Sequence, residues 1–253
     1  MTDIHCHILH GIDDGPRDID TALRLCMLAM ENGIDTIVAT PHLTTLGELD
    51  AFIDFRDNRL DELRYEIKRR EMLIDIYAGA EVYASEELFY PLSLEKATIN
   101  GSRYILVEFD FMGLSFSSVL RYIEEIRRRD LVPIIAHPER YSFLQVQYDR
   151  VNFLMDMGAL FQINAGSLAS MCGREEFNLA YEMVLKNAAS FIGSDAHSLR
   201  NRPNDMLKMI RDFPPNISRK ALDRMLNINP QEVIRNETVK RSLDSGLLKK
   251  RRY

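Results

Sequence analysis

Short apolar runs, many of them β-branched, alternate along the chain with longer stretches of helical spacing. The runs cover 3–7, 36–40, 74–78, 104–109, 132–136, 159–164 and 190–193. Their length and β-branched content predict buried strands. Between them, 19–32 places Ala22, Leu25, Cys26 and Ala29 on one helical face, and 117–129 does the same with Val119, Leu120, Ile123 and Ile126. The segment 49–72 is a long, heavily charged helix by the same spacing, and 148–157, 175–187, 203–213 and 218–236 follow. Gly33, Asp130 and Gly158 stand where three of these helices should stop. Strand–helix alternation predicts a parallel sheet with right-handed crossovers. Seven such strands in 253 residues, with chemistry-bearing residues near most of their ends, point to a closed or nearly closed β/α barrel.

Composition narrows the class. A chain of this length with 46% hydrophobic residues has material for one large domain, and we expect a single unit over 1–240 with a loose basic tail over 241–253. The net charge is −6 with mixed signs, so nucleic acid is not an expected partner. No apolar run approaches the ~18 residues of a membrane span. Cys6, Cys26 and Cys172 form no CxxC pair, and the first chemistry-bearing residue is already His5, which leaves no room for a cleaved leader. The expected location is the cytoplasm.

The candidate chemistry lies near the strand ends. Five of the six histidines, His5, His7, His42, His137 and His197, fall there, with the carboxylates Asp14, Glu81, Glu108 and Asp195 at similar places. His5 and His7, two apart on a strand, share a face, and Cys6 points away into the packing. A single His-x-His is a weak signal. Repetition of His, Glu and Asp around one barrel mouth predicts a polynuclear metal site. Imidazole plus carboxylate without thiolate suits Mn, Fe, Co or Zn. Three divalent ions would outweigh the four carboxylates and leave a net positive site that attracts a phosphate dianion. Arg140 and Arg202, with Arg200 as an alternative, lie in mouth loops from which they can fork onto phosphoryl oxygens. Asn164 is a candidate hydrogen-bonding partner for a ligand or substrate. His10 reads as a surface residue near the mouth, with a proton-donor role as the sharper alternative. Phe109, Phe111 and Tyr141 are candidates to receive an aromatic ring.

At these residues the chain resembles the PHP (polymerase and histidinol phosphatase) superfamily and, within it, the manganese-dependent protein-tyrosine phosphatases of bacterial capsule and exopolysaccharide operons. The resemblance rests on the segment from Asp3 through His5, Cys6, His7, Gly11 and Asp14 to Gly15, on Thr40-Pro41-His42, on Gly79-Ala80-Glu81, on His137-Pro138-Glu139-Arg140-Tyr141 and on Ser194-Asp195-Ala196-His197. It implies a distorted (β/α)7 TIM-like barrel with two to three divalent ions, Mn2+ foremost. One ion would take His5, His7, Glu81 and Asp195, a second Glu81, Glu108 and His137, and a third Asp14, His42 and His197. Arg140 and Arg202 would bind phosphate. The implied substrate is phosphotyrosine on the tail of a cognate tyrosine autokinase controlling polysaccharide synthesis, hydrolysed by in-line attack of metal-bound hydroxide. Two departures bear on substrate choice rather than on ligands: His10 replaces a proline of the family's Leu-Pro-Gly, and the loop 43–47 carries no basic residue.

Competing chemistries are narrowed by the same residues. A cysteine phosphatase needs Cys-x5-Arg, whereas Ile12, Asn32 and Asn178 stand six residues after the cysteines. An amidohydrolase would carry a bridging lysine where the fourth strand ends in Glu108. A small-molecule phosphoesterase, such as a histidinol-phosphate phosphatase, shares metals and nucleophile and differs only at the mouth. A non-catalytic barrel kept as a scaffold is the remaining alternative, and the complete ligand set argues against it. The basic run 249–252 offers a docking tail or a solvated end.

Overall fold

The computed structural model describes residues 1–90, 92–240 and 248. Among the described residues nine parallel strands form two sheets. The first runs β1 (Thr2–Cys6), β2 (Thr36–Ala39), β4 (Asp75–Ala78). The second runs β3 (His42–Leu43), β5 (Glu81–Tyr83), β6 (Tyr104–Glu108), β7 (Val132–Ala136), β8 (Leu160–Asn164), β9 (Phe191–Gly193).

Two of the expected strands are interrupted. β2 breaks at Thr40-Pro41 and resumes as β3, and β4 breaks at Gly79-Ala80 and resumes as β5. Proline lacks the ladder N–H, which ends the first pairing. At Gly79 a Cβ would lie 2.9 Å from the Val38 side chain and 3.2 Å from the Ala39 carbonyl, so only glycine permits the approach. His42 and Glu81 therefore open new strand segments rather than ending old ones, a correction to the simple strand-end reading.

The free edges of the two sheets also meet. The Asp195 amide donates to the His5 carbonyl (2.8 Å) and the His7 amide to the Ala196 carbonyl (2.9 Å), which lays the segment after β9 alongside β1.

The helices follow the polar pattern. They are α1 (Ile19–Glu31), α2 (Leu49–Arg69), α3 (Phe116–Arg128), α4 (Ser142–Val146), α5 (Asp149–Asp156), α6 (Ala165–Leu168), α7 (Arg174–Leu185) and α8 (Met206–Arg211). The stretch 218–236 is not one helix: α9 (Arg219–Asp223) passes through a π-helical turn at Arg224–Ile228 into α10 (Asn229–Ile234). Asp18 and Ser115 cap α1 and α3 by accepting from Thr21 N and Ser118 N. Gly33, Asp130 and Gly158 all take left-handed φ just past helix ends, as their positions predicted. Ala22, Leu25, Cys26 and Ala29 of α1 and Val119, Ile123 and Ile126 of α3 are buried against the sheets.

Of the expected tail, 241–247 and 249–253, including the basic run, lie outside the described residues. Leu248 is not loose. Its side chain is buried, and its amide and carbonyl pair with the Asn152 side chain at 3.1 and 3.2 Å. No described helix is long and apolar enough to cross a membrane.

Candidate metal centre

All nine candidate ligands converge on one place. Glu81 is its hub, fully buried. Its Oε2 lies 3.3 Å from His5 Nε2, 3.2 Å from His7 Nε2 and 3.0 Å from His42 Nδ1, and its Oε1 lies 2.9 Å from His137 Nε2. Glu108 sits beside it, 3.6 Å from His137 and 3.8 Å from His42. Asp195 Oδ1 is 3.5 Å from His5 and 3.6 Å from His7. At the outer side Asp14 Oδ1 lies 3.2 Å from His197 Nε2 and 3.6 Å from His42 Nε2.

Among the described residues, three groups have donor atoms spaced to hold a cation. These are His7, Asp14, His42 and His197; His5, His7 and Glu81; and His42, Glu81 and Glu108. The grouping implied by the family resemblance differs: His7 and His42 here each stand in two groups, and Asp195 and His137, which it assigns to ions, stand in none.

The local backbone aims these side chains. His137 and Asp195 both take left-handed φ, +30° and +54°, straight after β7 and near the end of β9. Such a conformation costs on the order of 1–3 kcal/mol for a non-glycine residue and is held only where its surroundings insist on it. Gly193 opens the floor: a Cβ there would lie 2.9 Å from both Gln162 Nε2 and His5 Cβ. Without it, Gln162 and His5 come together across β9.

The donor set fits a cation on its own chemistry. His5 Nδ1 meets the Gln162 amide oxygen at 2.7 Å, His7 Nδ1 meets Asp13 Oδ2 at 2.7 Å, and His197 Nδ1 meets the Asp195 carbonyl at 2.9 Å. Each partner is an acceptor, so each Nδ1 carries the proton and each Nε2 presents a lone pair to the centre. His5 Nε2 and His7 Nε2 then face each other at 3.2 Å, and His197 Nε2 is buried with no hydrogen-bond partner. Lone pairs and carboxylates packed so closely repel unless positive charge lies between them.

Without an ion, a proton on His7 supplies part of that positive charge. Burial lowers His7, but hydrogen bonds and charge from Asp13 and Glu81 outweigh it and raise the group to about 10. His197, stacked on His7 at 3.7 Å between ring centroids, is pushed down to about 4 by burial, His7 and Arg202. Burial raises Glu81, yet His5, His137 and His42 hold it well below the carboxylate range, while burial and Glu81 push Glu108 up.

Arg140 and Arg202 both meet the cluster at Asp195. Asp195 Oδ1 faces the histidines, while Oδ2 pairs with Arg202, accepts from Asn164 Nδ2 (2.7 Å) and lies 3.8 Å from Arg140. The Arg140 guanidinium stacks 4.3 Å over the Phe111 ring. Arg200 lines neither cavity at this site.

Several sequence expectations need correction. Phe109 and Tyr141 cannot meet a ligand, because both are fully buried and the Tyr141 hydroxyl accepts from the Phe109 amide at 3.0 Å. Phe111 remains, half-buried on the cavity wall. His10 is not a surface residue: it is buried, and its Nε2 lies 3.0 Å from Glu62 Oε2 of α2.

The residues around the ligands were missed. Asp13 and Gln162 fix the tautomers of His7 and His5, and Asn164, foreseen only as a partner, ties Asp195 to Gln162 through a 2.9 Å bond. Asp3 accepts from the Ser194 amide (2.9 Å), the Ser194 hydroxyl (2.5 Å) and Asn204 Nδ2 (2.9 Å), and so holds the turn that presents Asp195. Gln162 and Asn164 lie two apart on β8 and share a face, and Asp3 opens the segment on which the family resemblance rests.

Fold and site together define a parallel α/β protein with a histidine–carboxylate cluster of polynuclear type gathered at one end of its sheets. The chain belongs to the capsular polysaccharide synthesis CpsB/CapC family, whose model matches residues 1–235.

It is 32% identical, over its whole length and 98% of the relative's, to the putative tyrosine-protein phosphatase CapC of Staphylococcus aureus. To the tyrosine-protein phosphatase YwqE of Bacillus subtilis it is 29% identical, over 94% of this chain and 93% of that one. Among solved structures it matches one described as YwqE from B. subtilis and CpsB from Streptococcus pneumoniae, metal-dependent tyrosine phosphatases. That match has a TM-score of 0.83 and 28% identity, over 99% and 100% of the two chains. A lactonase from Listeria monocytogenes, at 13% identity and TM-score 0.56 over 95% of each chain, shares the fold alone.

Proposed function

We propose that this chain is a metal-dependent tyrosine-protein phosphatase, a phosphoric monoester hydrolase. The carrying observation is the convergence of five histidines and four carboxylates, with Arg140 and Arg202 meeting Asp195 at the edge of a cavity of about 350 Å3. Similarity over the full chain to named tyrosine-protein phosphatases supports it.

His5, His7, Glu81 and Asp195 would hold one divalent ion, Glu81, Glu108 and His137 a second, and Asp14, His42 and His197 a third. Mn2+ is the ion we favour, with Fe, Co or Zn fitting the same donors. Bound ions supply Lewis acidity at a phosphoryl oxygen and lower the pKa of water.

The protein's own part is positioning. Gln162 and Asp13 keep the Nε2 lone pairs of His5 and His7 turned inward. Asp195 spends one oxygen on the cluster and the other on the arginines. The remaining guanidinium N–H groups of Arg140 and Arg202 then take the equatorial oxygens of the phosphoryl group as charge grows there.

We read the two sheets as one distorted (β/α)7 barrel of the PHP type over 1–240. The bonds from Asp195 and Ala196 to β1 support closure. Free cysteines support a cytoplasmic location, and membership of a capsular polysaccharide family supports a tyrosine autokinase as the phosphorylated partner.

The test is phosphate release from a phosphotyrosine peptide and from histidinol phosphate, first with chelated protein and then with added Mn2+. Metal-restored release favouring the peptide is expected. Release favouring histidinol phosphate would move the function to small-molecule metabolism.

A further inference from the structure

Five residues line the cavity above the cluster without being candidate ligands: Thr44, Tyr83, Phe111, Arg140 and Arg202. Strand periodicity accounts for Tyr83, which stands two residues after Glu81 on β5 and faces the same way, while Thr44 lies just past β3. Phe111 comes from the loop after β6. Asp110 organises that loop by accepting from the amides of Met112 (2.8 Å) and Gly113 (2.7 Å), and Tyr83 donates to the same carboxylate at 3.5 Å. The two aromatic residues are thus tied to each other through Asp110. Phe111 is backed by Tyr141, stacked at 5.6 Å, and by Arg140.

This collar has a definite chemistry. It offers two aromatic rings, two guanidinium groups and two hydroxyls, with the Asp110 carboxylate beside Tyr83. An anionic phosphoryl group can sit low, against the cluster and the arginines, while its ester substituent leaves between the rings. An aromatic substituent gains ring contacts there that an alkyl one does not.

We propose that Tyr83 and Phe111 form an aryl slot over the cluster and set a preference for aryl over alkyl phosphomonoesters. This rests on the phosphatase reading for its biological meaning, but the slot is tested by binding. Tyr83 acts through its ring, and its hydroxyl serves the loop. Phe111 acts twice, as a wall and as the surface on which Arg140 lies.

The experiment measures the affinities of phenylphosphonate and methylphosphonate for the full, Mn2+-loaded chain by calorimetry, in wild type, Tyr83→Ala, Tyr83→Phe and Phe111→Leu. The expected result is a wild-type preference for the phenyl compound that falls about fivefold in Tyr83→Ala and in Phe111→Leu. Tyr83→Phe, which keeps the ring, should keep the preference. Phe111→Leu should also weaken both compounds together, because Arg140 loses its support. No preference in wild type, or a preference unchanged in both Tyr83→Ala and Phe111→Leu, would overturn the slot. Turnover of a phosphotyrosine peptide by the same wild-type protein separates the two ideas. Phenyl preference without turnover defeats the phosphatase reading and leaves the slot standing. Turnover without phenyl preference defeats the slot alone.

Discussion

The inner and outer halves of the cluster are built differently. The inner half, His5, His7, Glu81, His137 and Asp195, is buried, and three of its members are held by a dedicated neighbour: His5 by Gln162, His7 by Asp13, Asp195 by Asn164. The outer half is wetter at Asp14 and His42, while His197 is buried. The Asp14 side chain is 65% exposed, against 1% for Glu81, and its ion-pair partners are histidines of the cluster itself. Buried ligands with fixed tautomers arrive already arranged, so an ion entering there meets little reorganisation. An exposed carboxylate must be ordered at the moment of binding and competes with water. The inner half should therefore bind tightly and permanently, and the outer half weakly and exchangeably.

The largest expected break in this contrast is Glu81→Ala. It removes the carboxylate that His5, His7, His42 and His137 share. It should abolish tight metal binding and lower kcat/KM by a factor on the order of 10³, about 4 kcal/mol of transition-state stabilisation. Metal content after gel filtration and initial rates check it together.

Gln162→Leu leaves every ligand in place but frees the His5 ring. Loss of such an outer partner typically costs about 10–100-fold in metal affinity. A metal titration with unchanged protein fold by circular dichroism would measure it, and an unchanged affinity would contradict the inner-half account.

Asp14→Ala sharpens the comparison from the other side. Bound metal should fall by about one equivalent, and the metal concentration for half-maximal activity should rise about tenfold, while the inner ions survive dialysis. Loss of all metal in this variant would show the halves to be one cooperative unit.

The smallest effect is expected from Arg202→Lys. The charge beside Asp195 remains, but the forked geometry for two phosphoryl oxygens is lost. KM for an aryl phosphate should rise by about 3–10-fold with metal content unchanged.

Most of the strand and helix order was legible because the runs and the helical faces have different periods. α1 and α3 could be read from four apolar positions each, and Gly33, Asp130 and Gly158 marked their stops and that of α5. The breaks at Thr40-Pro41 and Gly79-Ala80 were not legible as breaks. A proline or glycine between two apolar runs reads equally as the end of a strand, and only the approach of Val38 to Gly79 tells the two apart. The nine cluster residues could be named in advance because histidine and carboxylate near strand ends have few structural reasons to recur.

Their surroundings could not be named. Asp13, Gln162 and Asp3 look like ordinary polar residues in sequence, and what makes them matter is a partner 6, 157 or 191 positions away. The same holds for the aromatic groups. Phe109, Phe111 and Tyr141 were equivalent candidates until packing buried two of them and turned the third, with the unforeseen Tyr83, toward the cavity.

What the chain determined by itself was therefore the class of element, the family pattern and the set of ligand-type residues, since these follow from local period and residue chemistry. What only the tertiary structure decided was how closely four histidines crowd Glu81, which nitrogen of each imidazole faces inward and which rings reach the mouth. Those depend on distances between strands far apart in sequence, and no local pattern encodes a distance of that kind.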